Sequence, residues 1–507
     1  MKKNNGILSV IIASSVGTLI EWYDFYIFGS LAVVISTQFF PQGNPTAAFL
    51  STLATFAAGF VVRPFGALFF GRLGDMIGRK YTFLVTLLLM GGSTFLIGCV
   101  PDYKTIGFFA PLLVLLLRLL QGLALGGEYG GAATYVAEYA PPHKRGFWTS
   151  WIQTTATIGL FVSLTVILIT RKTLGVSQFE DWGWRIPFWI SILMVLISFF
   201  IRKNMKESPV YAKLKAEGKS SSNPLKESFG NRFNFKFVLL ALFGATMGQG
   251  VIWYTGQFYA MSFIGKVCSV ASEQTDTIMA IALLLGTPLF ILFGSLSDKW
   301  GRKNIMMLGI LLAIISYRPI YNKIYHTANC DKKTIATEQV VSTTTAPVSK
   351  ITNLDSIKTI VTKIRYTDGT LKTTTTKDTV IFNHITKPNK EIKKSLELNT
   401  HDYWTLILLV FIQIVFVTMV YGPIAAFLVE MFPTKIRYTS MSLPYHIGNG
   451  IFGGLLPTVA TYLVTKAKDN QNAEWYLSGL WYPIIVGAVC FVIGMIYLNK
   501  KDNKIEE

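Results

Sequence analysis

The stretch Gly71 to Lys80, GRLGDMIGRK, decides how this chain folds, because a close copy, GSLSDKWGRK, returns at Gly294 to Lys303. Each copy follows a long apolar run and precedes another, and its glycines suit a sharp turn or a close approach of two backbones. We therefore predict that each copy is a short charged hairpin between two hydrophobic helices. The repetition predicts two related halves with the functional site between them.

The composition points to a lipid bilayer. Hydrophobic residues make up 51% of the 507 and charged residues only 15%, whereas soluble domains usually carry about 25% charged residues. A helix needs roughly 20 apolar residues to cross about 30 Å of hydrocarbon, and the sequence supplies about twelve such runs. We predict an all-α membrane protein with twelve transmembrane helices in two pseudo-symmetric six-helix bundles.

The spacing of the repeats gives the domain boundaries. The two hairpins lie 223 residues apart, but a second matching pair, Glu138 to Arg145 and Glu430 to Arg437, lies 292 apart, so the second half contains an insertion of 69 residues. We predict an N-terminal bundle, a linker, the first part of a C-terminal bundle, an insertion, and the rest of that bundle with a short tail, at 1–201, 202–236, 237–317, 318–402 and 403–507.

Charge predicts the orientation. The short loops at the hairpins are basic, whereas Phe40 to Ala48 carries no charge, so we expect the hairpins, the linker and both chain ends to face the cytoplasm of a bacterial inner membrane. The net charge of +19 does not require nucleic acid as a partner. The predicted linker holds nine Lys and Arg against three Glu, the predicted insertion holds fourteen against eight acids, and most of the others end apolar runs.

The insertion differs from the rest of the chain. It contains Thr-rich runs, alternating polar and apolar residues, and an Asp368-Gly369 pair suited to a hairpin turn. We predict a β-rich or disordered segment on the extracytoplasmic side. Two interpretations stay open, a tolerated insertion outside the bundle and a module that captures a ligand or partner.

The sequence offers no pattern for catalysis or for a cofactor. The nearest Gly-Lys pair, Gly265-Lys266, is followed by Val267 and lacks the upstream glycine of a phosphate-binding loop. The four cysteines are scattered singly, without the spacing of a metal site or a disulfide framework. We expect no cofactor, no metal and no enzymatic activity, and therefore a protein that uses an ion gradient or passive flow.

Five ionisable side chains fall inside spans one, two and four. Inserting such a group costs about 2.5 kcal/mol or more, so each should face a wet cavity or a partner. The carboxylates in span one are three residues apart and share a face, so we expect one to be protonatable and the other to be paired with an arginine, for which a carboxylic solute would compete. A purely structural ion-pair network is the alternative. The five are Glu21, Asp24, Arg63, Arg118 and Glu128.

The second half offers amides and aromatics in place of charges. Such groups orient a solute in an otherwise apolar pocket, although any one of them could instead serve helix packing. His446 stands out because a histidine titrates near neutrality. The candidate lining residues are Gln249, Trp253, Tyr254, Gln257, Tyr421, Tyr445, His446 and Asn449.

Several motifs together resemble one known group. They are GTLIEWYDF from Gly17, Arg63-Pro64, GGEYG from Gly126, WGWRIPF from Trp182, and the two hairpins. The chain thus resembles the metabolite:proton symporters of the major facilitator superfamily, the sugar and general substrate transporters, everywhere except in the insertion. The resemblance implies the two-bundle major facilitator fold and transport by alternating access. Relatives of this kind carry dicarboxylates and tricarboxylates, shikimate, or proline and betaine.

The resemblance also implies a role for the hairpin charges. In the superfamily such groups form cytoplasmic charge clusters that lock the outward-facing state and release when the halves rock. The alternative is that they only set the topology. The candidate gate residues are Asp75, Arg79, Glu138, Arg145, Asp298, Arg302, Glu430 and Arg437.

These observations predict a proton-coupled importer of a small polar solute, and we expect it to be a monomer. Two arginines in the first half favour a carboxylate, such as a dicarboxylate, a tricarboxylate or a shikimate-like acid. A zwitterionic osmolyte such as proline or betaine is the alternative substrate. From another functional class, a membrane receptor or sensor derived from a transporter is the alternative, because of the insertion.

Overall fold

The computed structural model describes residues 4–41, 45–203, 206–331, 333–347, 356–380 and 390–498. The extreme ends of the chain, predicted to be cytoplasmic, lie outside the described residues at 1–3 and 499–507. Three parts of the predicted insertion, at 332, 348–355 and 381–389, also lie outside them.

The first half is a bundle of helices. Its helices are α1 (Asn4–Ser30), α2 (Ala32–Phe39), α3 (Pro45–Val61), α4 (Arg63–Met76), α5 (Arg79–Cys99), α6 (Tyr103–Ile106), α7 (Phe109–Tyr139), α8 (Arg145–Gln153), α9 (Thr155–Leu174), α10 (Val176–Gln178) and α11 (Arg185–Lys203). A short helix of the linker follows, α12 (Pro209–Ala216).

The second half repeats the arrangement. Its helices are α13 (Arg232–Ala241), α14 (Met247–Tyr254), α15 (Ala260–Ser262), α16 (Ser272–Trp300), α17 (Arg302–Ala328), α18 (Thr400–Met431), α19 (Arg437–Ile447), α20 (Leu456–Asp469) and α21 (Trp481–Tyr497). Helices α13 to α15 are joined by π-helical turns into one span, Arg232–Val267. Because the core of this half also includes Tyr129, Ala133 and Ala137 of α7, the two bundles share packed surface.

The prediction of twelve membrane crossings is confirmed. Within the described residues, eleven helical segments are long and apolar enough to span a bilayer, and α3 with α4 supplies the other crossing. These two are separate helices because Pro64, at the start of α4, cannot donate a backbone hydrogen bond. The break places Arg63 at a bend in the middle of the crossing.

The insertion forms an antiparallel sheet, which confirms the β-rich prediction. Its strands are β1 (Ile335–Pro347), β2 (Ser356–Tyr366), β3 (Leu371–Val380) and β4 (Lys390–Glu397), in the order β1-β2-β3-β4. Arg365 pairs with Leu371 and Leu371 with Glu397. The predicted turn at Asp368-Gly369 joins β2 to β3, and Gly369 has a φ of +89°, a conformation that favours glycine.

The insertion is shorter than predicted. Helix α17 continues through Arg318 and Pro319 to Ala328, and α18 begins at Thr400. Arg318 lies within the helix and its Nη2 is 2.6 Å from Glu474 Oε2. Pro319 has no backbone N–H, but one missing hydrogen bond does not end a helix whose residues Tyr317 and Tyr321 are fully buried.

The sheet is attached firmly to the second half. Leu396 donates to Ser269 O and accepts from Ala271 N–H, both at 2.8 Å, and Gln274 bonds both the N–H and the carbonyl of Leu398. Lys333 Nζ lies 2.6 Å from Asp402 Oδ2 and 2.7 Å from Asp368 Oδ2.

The electrostatics of this attachment favour the charged forms. Partial burial works against the charged form of Asp368, but hydrogen bonds from Lys333 and Thr370 outweigh it and hold the pKa of Asp368 at about 2. The carboxylate is therefore ionised at neutral pH and remains bound to Lys333.

Candidate functional site

A cavity of about 40 Å³ lies between the two halves, midway along the spans. The first half contributes two ionisable side chains, Glu21 and Arg63, beside aromatic rings. The second half contributes six of its eight predicted lining residues. The complete lining is Glu21, Trp22, Phe25, Phe60, Arg63, Trp253, Tyr254, Tyr421, Tyr445, His446, Asn449 and Gly450.

Aromatic contacts between the halves narrow the cavity on both sides. Toward the hairpins, the ring of Tyr129 stacks on that of Tyr445 at 3.7 Å. Toward the insertion, the ring centres of Trp22 and Trp253 are 5.2 Å apart, and those of Phe25 and Phe258 are 5.9 Å apart. The structure is therefore close to an occluded state, and a larger solute requires the halves to separate on one side.

Two predicted lining residues have other contacts. Gln249 exchanges hydrogen bonds with Asn449, at 3.1 and 2.9 Å, and so supports a lining residue from behind. Gln257 is buried but does not line the cavity. His446 lines it, and its Nε2 has no hydrogen-bond partner among the described residues, which leaves this nitrogen available to a solute or water.

Glu21 and Arg63 form the charged part of the cavity. Arg63 Nη1 lies 3.8 Å from Glu21 Oε1, a loose ion pair, and the guanidinium lies 4.2 Å from the centre of the Phe60 ring. Arg63 Nε is buried without a hydrogen-bond partner in the described part of the chain. A guanidinium with an unused donor beside a cavity has the geometry to bind a carboxylate.

Asp24 lies one turn further along α1 and belongs to a second cluster, outside the cavity. Its Oδ2 accepts hydrogen bonds from Thr94 Oγ1 and, at 3.3 Å, from Gln121 Nε2. Gln121 in turn accepts from Arg118, whose guanidinium lies 4.2 Å from the Phe28 ring centre. Asp24 Oδ1 has no hydrogen-bond partner among the described residues.

Glu128 is paired inside the first half. Its Oε1 contacts Arg202 Nη2 at 2.5 Å, and its Oε2 accepts from Thr86 Oγ1 at 2.9 Å. Arg202 also donates to Phe83 O at 2.7 Å and lies 3.4 Å from the Phe83 ring centre. This pair fits the structural alternative for Glu128, since neither residue lines the cavity.

Sequence reasoning missed Arg202. Next to Lys203 at the end of α11, it resembled a cation that reaches out to the membrane surface, yet it is only 1% exposed. The available signal was indirect, since a buried Glu128 needs a cation from some neighbouring helix. A side chain at Gly17 would overlap the guanidinium, so this glycine of the first motif makes room for the pair.

The repeated hairpins join the halves at the face opposite the sheet. Asp298 accepts hydrogen bonds from the backbone N–H groups of Gly146 and Phe147, at 2.9 and 2.8 Å. These are the first N–H groups of α8, in the other half. A carboxylate at a helix N-terminus satisfies free N–H donors and interacts favourably with the helix dipole.

The other hairpin makes the equivalent contact. Asp75 accepts from the N–H groups of Tyr438 and Thr439, at 3.3 and 2.8 Å, at the N-terminus of α19. The glycine four residues earlier permits the approach, since a Cβ at Gly71 would lie 2.9 Å from Thr439 Cα, and one at Gly294 would lie 2.5 Å from Ser150 Cβ. We call the two aspartates with these helix ends the aspartate latches.

The remaining candidate gate residues surround the two aspartates. Arg79 contacts Asp75 at 2.9 Å and Glu138 at 3.5 Å, and Arg437 of the other half contacts Glu138 at 3.0 Å. Glu138 therefore bridges the halves.

The second cluster is less symmetric. Arg302 binds Asp298 and, in a bidentate manner, Glu430, at 3.1 and 2.8 Å. Arg145, the counterpart of Arg437, donates to Ala137 O at 3.2 Å. The two gate clusters thus share the latch but not every ion pair.

The linker completes this face. Tyr211 of α12 donates its hydroxyl to the carbonyls of Asp75 and Met76, at 3.2 and 3.0 Å, and Glu227 contacts Lys435 at 2.9 Å. From sequence, this segment is predicted only to be a linker. Its helix α12 instead packs against the candidate gate residues.

Comparison with known proteins agrees with this architecture. The family model for "Sugar (and other) transporter" matches residues 9–231. The inner membrane metabolite transport protein YhjE of Escherichia coli is 39% identical over 325 residues, which cover 61% of this chain and 72% of that protein. The proline/betaine transporter of E. coli is 28% identical over 96% of this chain and 82% of its own. The alpha-ketoglutarate permease of E. coli is 28% identical over 97% and 93%.

Solved structures share the fold. The proton:xylose symporter XylE of the major facilitator superfamily, bound to 6-bromo-6-deoxy-D-glucose, superposes with a TM-score of 0.64 at 16% identity and covers 99% of this chain and 98% of its own. The major facilitator fold predicted from the motifs is therefore confirmed.

We predict that Asp75→Asn weakens closure at the hairpin face. An amide keeps the shape but removes the charge that binds Arg79 and the N-terminus of α19, a term of about 0.3 to 2 kcal/mol for the helix end alone. Thiol-reagent labelling of a cysteine placed at this face should become faster, transport should slow, and equilibrium solute binding should stay close to the parent value. Arg72→Gln, an exposed charge in the same hairpin, is the control. Equal loss of binding and transport in a correctly inserted Asp75→Asn protein would contradict the latch role.

We predict that Arg202→Gln destabilises the first half by about 3–5 kcal/mol, because it leaves Glu128 as an unpaired buried charge. Thermal unfolding in detergent measures the effect. The double variant Glu128→Gln/Arg202→Gln should recover much of the lost stability, since neither charge then remains. A double variant no more stable than Arg202→Gln would show that the pair does not act as a unit.

Proposed function

Because the chain belongs to the sugar and other transporter family of the major facilitator superfamily, we propose that it imports a small organic carboxylate together with a proton. Transport proceeds by alternating access, in which the halves open the cavity first to one side of the membrane and then to the other. We further propose that it does so as a monomer in a bacterial inner membrane, with the hairpins and both chain ends in the cytoplasm.

The observation that carries this proposal is the position of Arg63. Its guanidinium faces the cavity, holds Glu21 only loosely at 3.8 Å, and keeps a buried Nε without a hydrogen-bond partner among the described residues. Desolvating such a group is costly unless an anion binds it. A solute carboxylate that displaces Glu21 gives Arg63 a bidentate partner. The likeness to the alpha-ketoglutarate permease is consistent with this class of solute.

Asp24 is the candidate carrier of the coupled proton. It has no cation within ion-pair distance among the described residues, and one of its oxygens has no hydrogen bond. Glu21, by contrast, has Arg63. This arrangement supports the expectation from sequence that one carboxylate of α1 is paired and the other protonatable. Arg118 donates a hydrogen bond to Gln121, and Gln121 donates one to Asp24. Movement of α7, which carries Arg118 and Gln121, therefore changes how well the charge on Asp24 is stabilised.

The aspartate latches supply the conformational step. They join the halves at the hairpin face, so a solute that enters from the insertion face meets a closed cytoplasmic side. Each latch is a small number of hydrogen bonds rather than a wide apolar interface, so it can release when the solute and the proton reorganise the cavity.

One observation favours a second candidate solute, a zwitterion such as proline or betaine. Cations bind well over the faces of tryptophan and tyrosine, and the cavity places Trp22, Trp253, Tyr254 and Tyr421 around the Glu21–Arg63 pair. The likeness to the proline/betaine transporter points the same way. Uptake of labelled alpha-ketoglutarate and of labelled betaine into proteoliposomes, with and without a pH difference, separates the two.

We predict that Arg63→Lys raises the KM for the carboxylate about tenfold or more, because the charge remains but the bidentate fork is lost. The matched control is Arg171→Lys, the same change at a side chain that is 51% exposed. Initial uptake rates across a range of solute concentrations give KM and Vmax. An unchanged KM in Arg63→Lys would exclude this arginine from carboxylate binding.

We predict that Asp24→Asn uncouples solute from protons. The amide cannot carry the proton, so accumulation against a gradient should disappear, whereas exchange of internal for external solute, which needs no net proton movement, should persist. The two assays are run on the same proteoliposomes, with Asp102→Asn, a loop carboxylate that only caps a short helix, as the control. Concentrative uptake by Asp24→Asn under a pH difference alone would contradict this role.

A further inference from the structure

A second cavity, much larger than the one between the halves, lies between the sheet and the membrane helices. Its volume is about 880 Å³, within the range of small-molecule sites, about 300–1,000 Å³. The sheet covers one side and the ends of the C-terminal helices form the other. Two segments thus meet here that are far apart in sequence.

Charge distinguishes this cavity. Four lysines line it, two from the sheet and two from the membrane half, against two aspartates, Asp331 and Asp469. We call it the lysine vestibule, after Lys266, Lys372, Lys394 and Lys468. Asp331 accepts a hydrogen bond from Asn329 Nδ2 at 3.0 Å. Four lysines against two aspartates leave the lining with an excess of positive charge.

The strand register explains why the two sheet lysines share a side. Lys372 pairs with Leu396 across β3 and β4, and Lys394 is two residues from Leu396 on the same strand. Side chains two apart on a strand point to the same face. Leu396 is buried against the membrane half, so Lys372 and Lys394 are held facing the helices. Lys393 and Lys363 lie on the opposite face.

The walls are fixed in place. Backbone hydrogen bonds of Leu396 to Ser269 and Ala271 hold the sheet edge at 2.8 Å, and Gln274 holds Leu398. On the membrane side, the Lys468 ammonium lies 5.1 Å from the Trp475 ring centre. Lysines brought together by a braced sheet repel one another, and an anion between them relieves that repulsion.

We propose that the lysine vestibule is a binding site for a soluble anion with two or more negative charges, such as a polycarboxylate. The site is separate from the cavity between the halves, shares no lining residue with it, and is formed by the insertion. Anion binding here does not depend on which solute the transporter carries. The insertion is accordingly a ligand-binding element and not only a tolerated loop.

Two native cysteines provide the test. Cys268 and Cys330 both line the vestibule and are partly buried, while Cys99 is exposed elsewhere. In a Cys99→Ser background, the full-length protein in phosphatidylcholine nanodiscs is treated with N-ethylmaleimide, and modification of Cys330 is followed by peptide mass spectrometry. Citrate is the probe, compared with sodium chloride of the same ionic strength.

Citrate should slow the modification of Cys330 about threefold at twice its dissociation constant, since a third of the sites are then empty. Lys372→Gln/Lys394→Gln should abolish this protection. Lys363→Gln/Lys393→Gln makes the same charge change on the opposite face and should retain it. Lys468→Gln should weaken protection. Because Lys468 lies outside the sheet, this variant tests the site even if the sheet fails to fold in Lys372→Gln/Lys394→Gln.

Three results would overturn the proposal. The first is no protection by citrate in the parent protein. The second is equal loss of protection in the two double variants, which would make the effect one of net charge. The third concerns nanodiscs in which phosphatidylglycerol replaces phosphatidylcholine. If Cys330 is protected there without citrate, and citrate slows its modification no further, the occupant is a lipid headgroup.

Discussion

The closed arrangement of the two halves at the hairpin face depends on one kind of contact, between a carboxylate and a helix N-terminus, which is made twice. Asp75 and Asp298 each accept two backbone hydrogen bonds from the first turn of a helix in the opposite half. The contact needs close approach, which the glycine four residues earlier allows. The repeated motif is therefore one physical device, in which a glycine admits the partner helix and an aspartate binds its end. Because the same device appears in both halves, each hairpin binds the opposite half through the same kind of contact.

The cost of charge inside a bilayer organises the first half. The three carboxylates inside spans one and four have different partners. Glu128 has a close cation in Arg202 and Glu21 has a loose one in Arg63. Asp24 has hydrogen-bond donors but, among the described residues, no cation within ion-pair distance. This gradation separates a pair that holds helices together from groups whose state can change. The five ionisable residues predicted inside spans one, two and four therefore have different environments.

The insertion extends the same logic to the other face. The sheet is rich in Thr and Lys, and its edge at Leu396 pairs with the backbone of the second half at Ser269 and Ala271. That attachment turns one face of the sheet toward the helix ends and the other toward water. The basic residues of the segment are thereby divided between the two faces of the sheet.

The sequence by itself determined the class of fold, because hydrophobic length, repeated motifs and basic loops are local properties. The crossings, the two halves, the β-rich insertion and its Asp368-Gly369 turn all follow from them. It also indicated six residues of the second-half cavity lining, since polar and aromatic groups inside a span either face a cavity or bind a neighbouring helix. Only the tertiary structure decided which ionisable groups meet. Arg202 is the partner of Glu128, and Arg118 lies outside the cavity. Helix α17 continues past Arg318, and the linker packs against the candidate gate residues. Pairing and burial depend on which helices are neighbours, and no local sequence pattern records that.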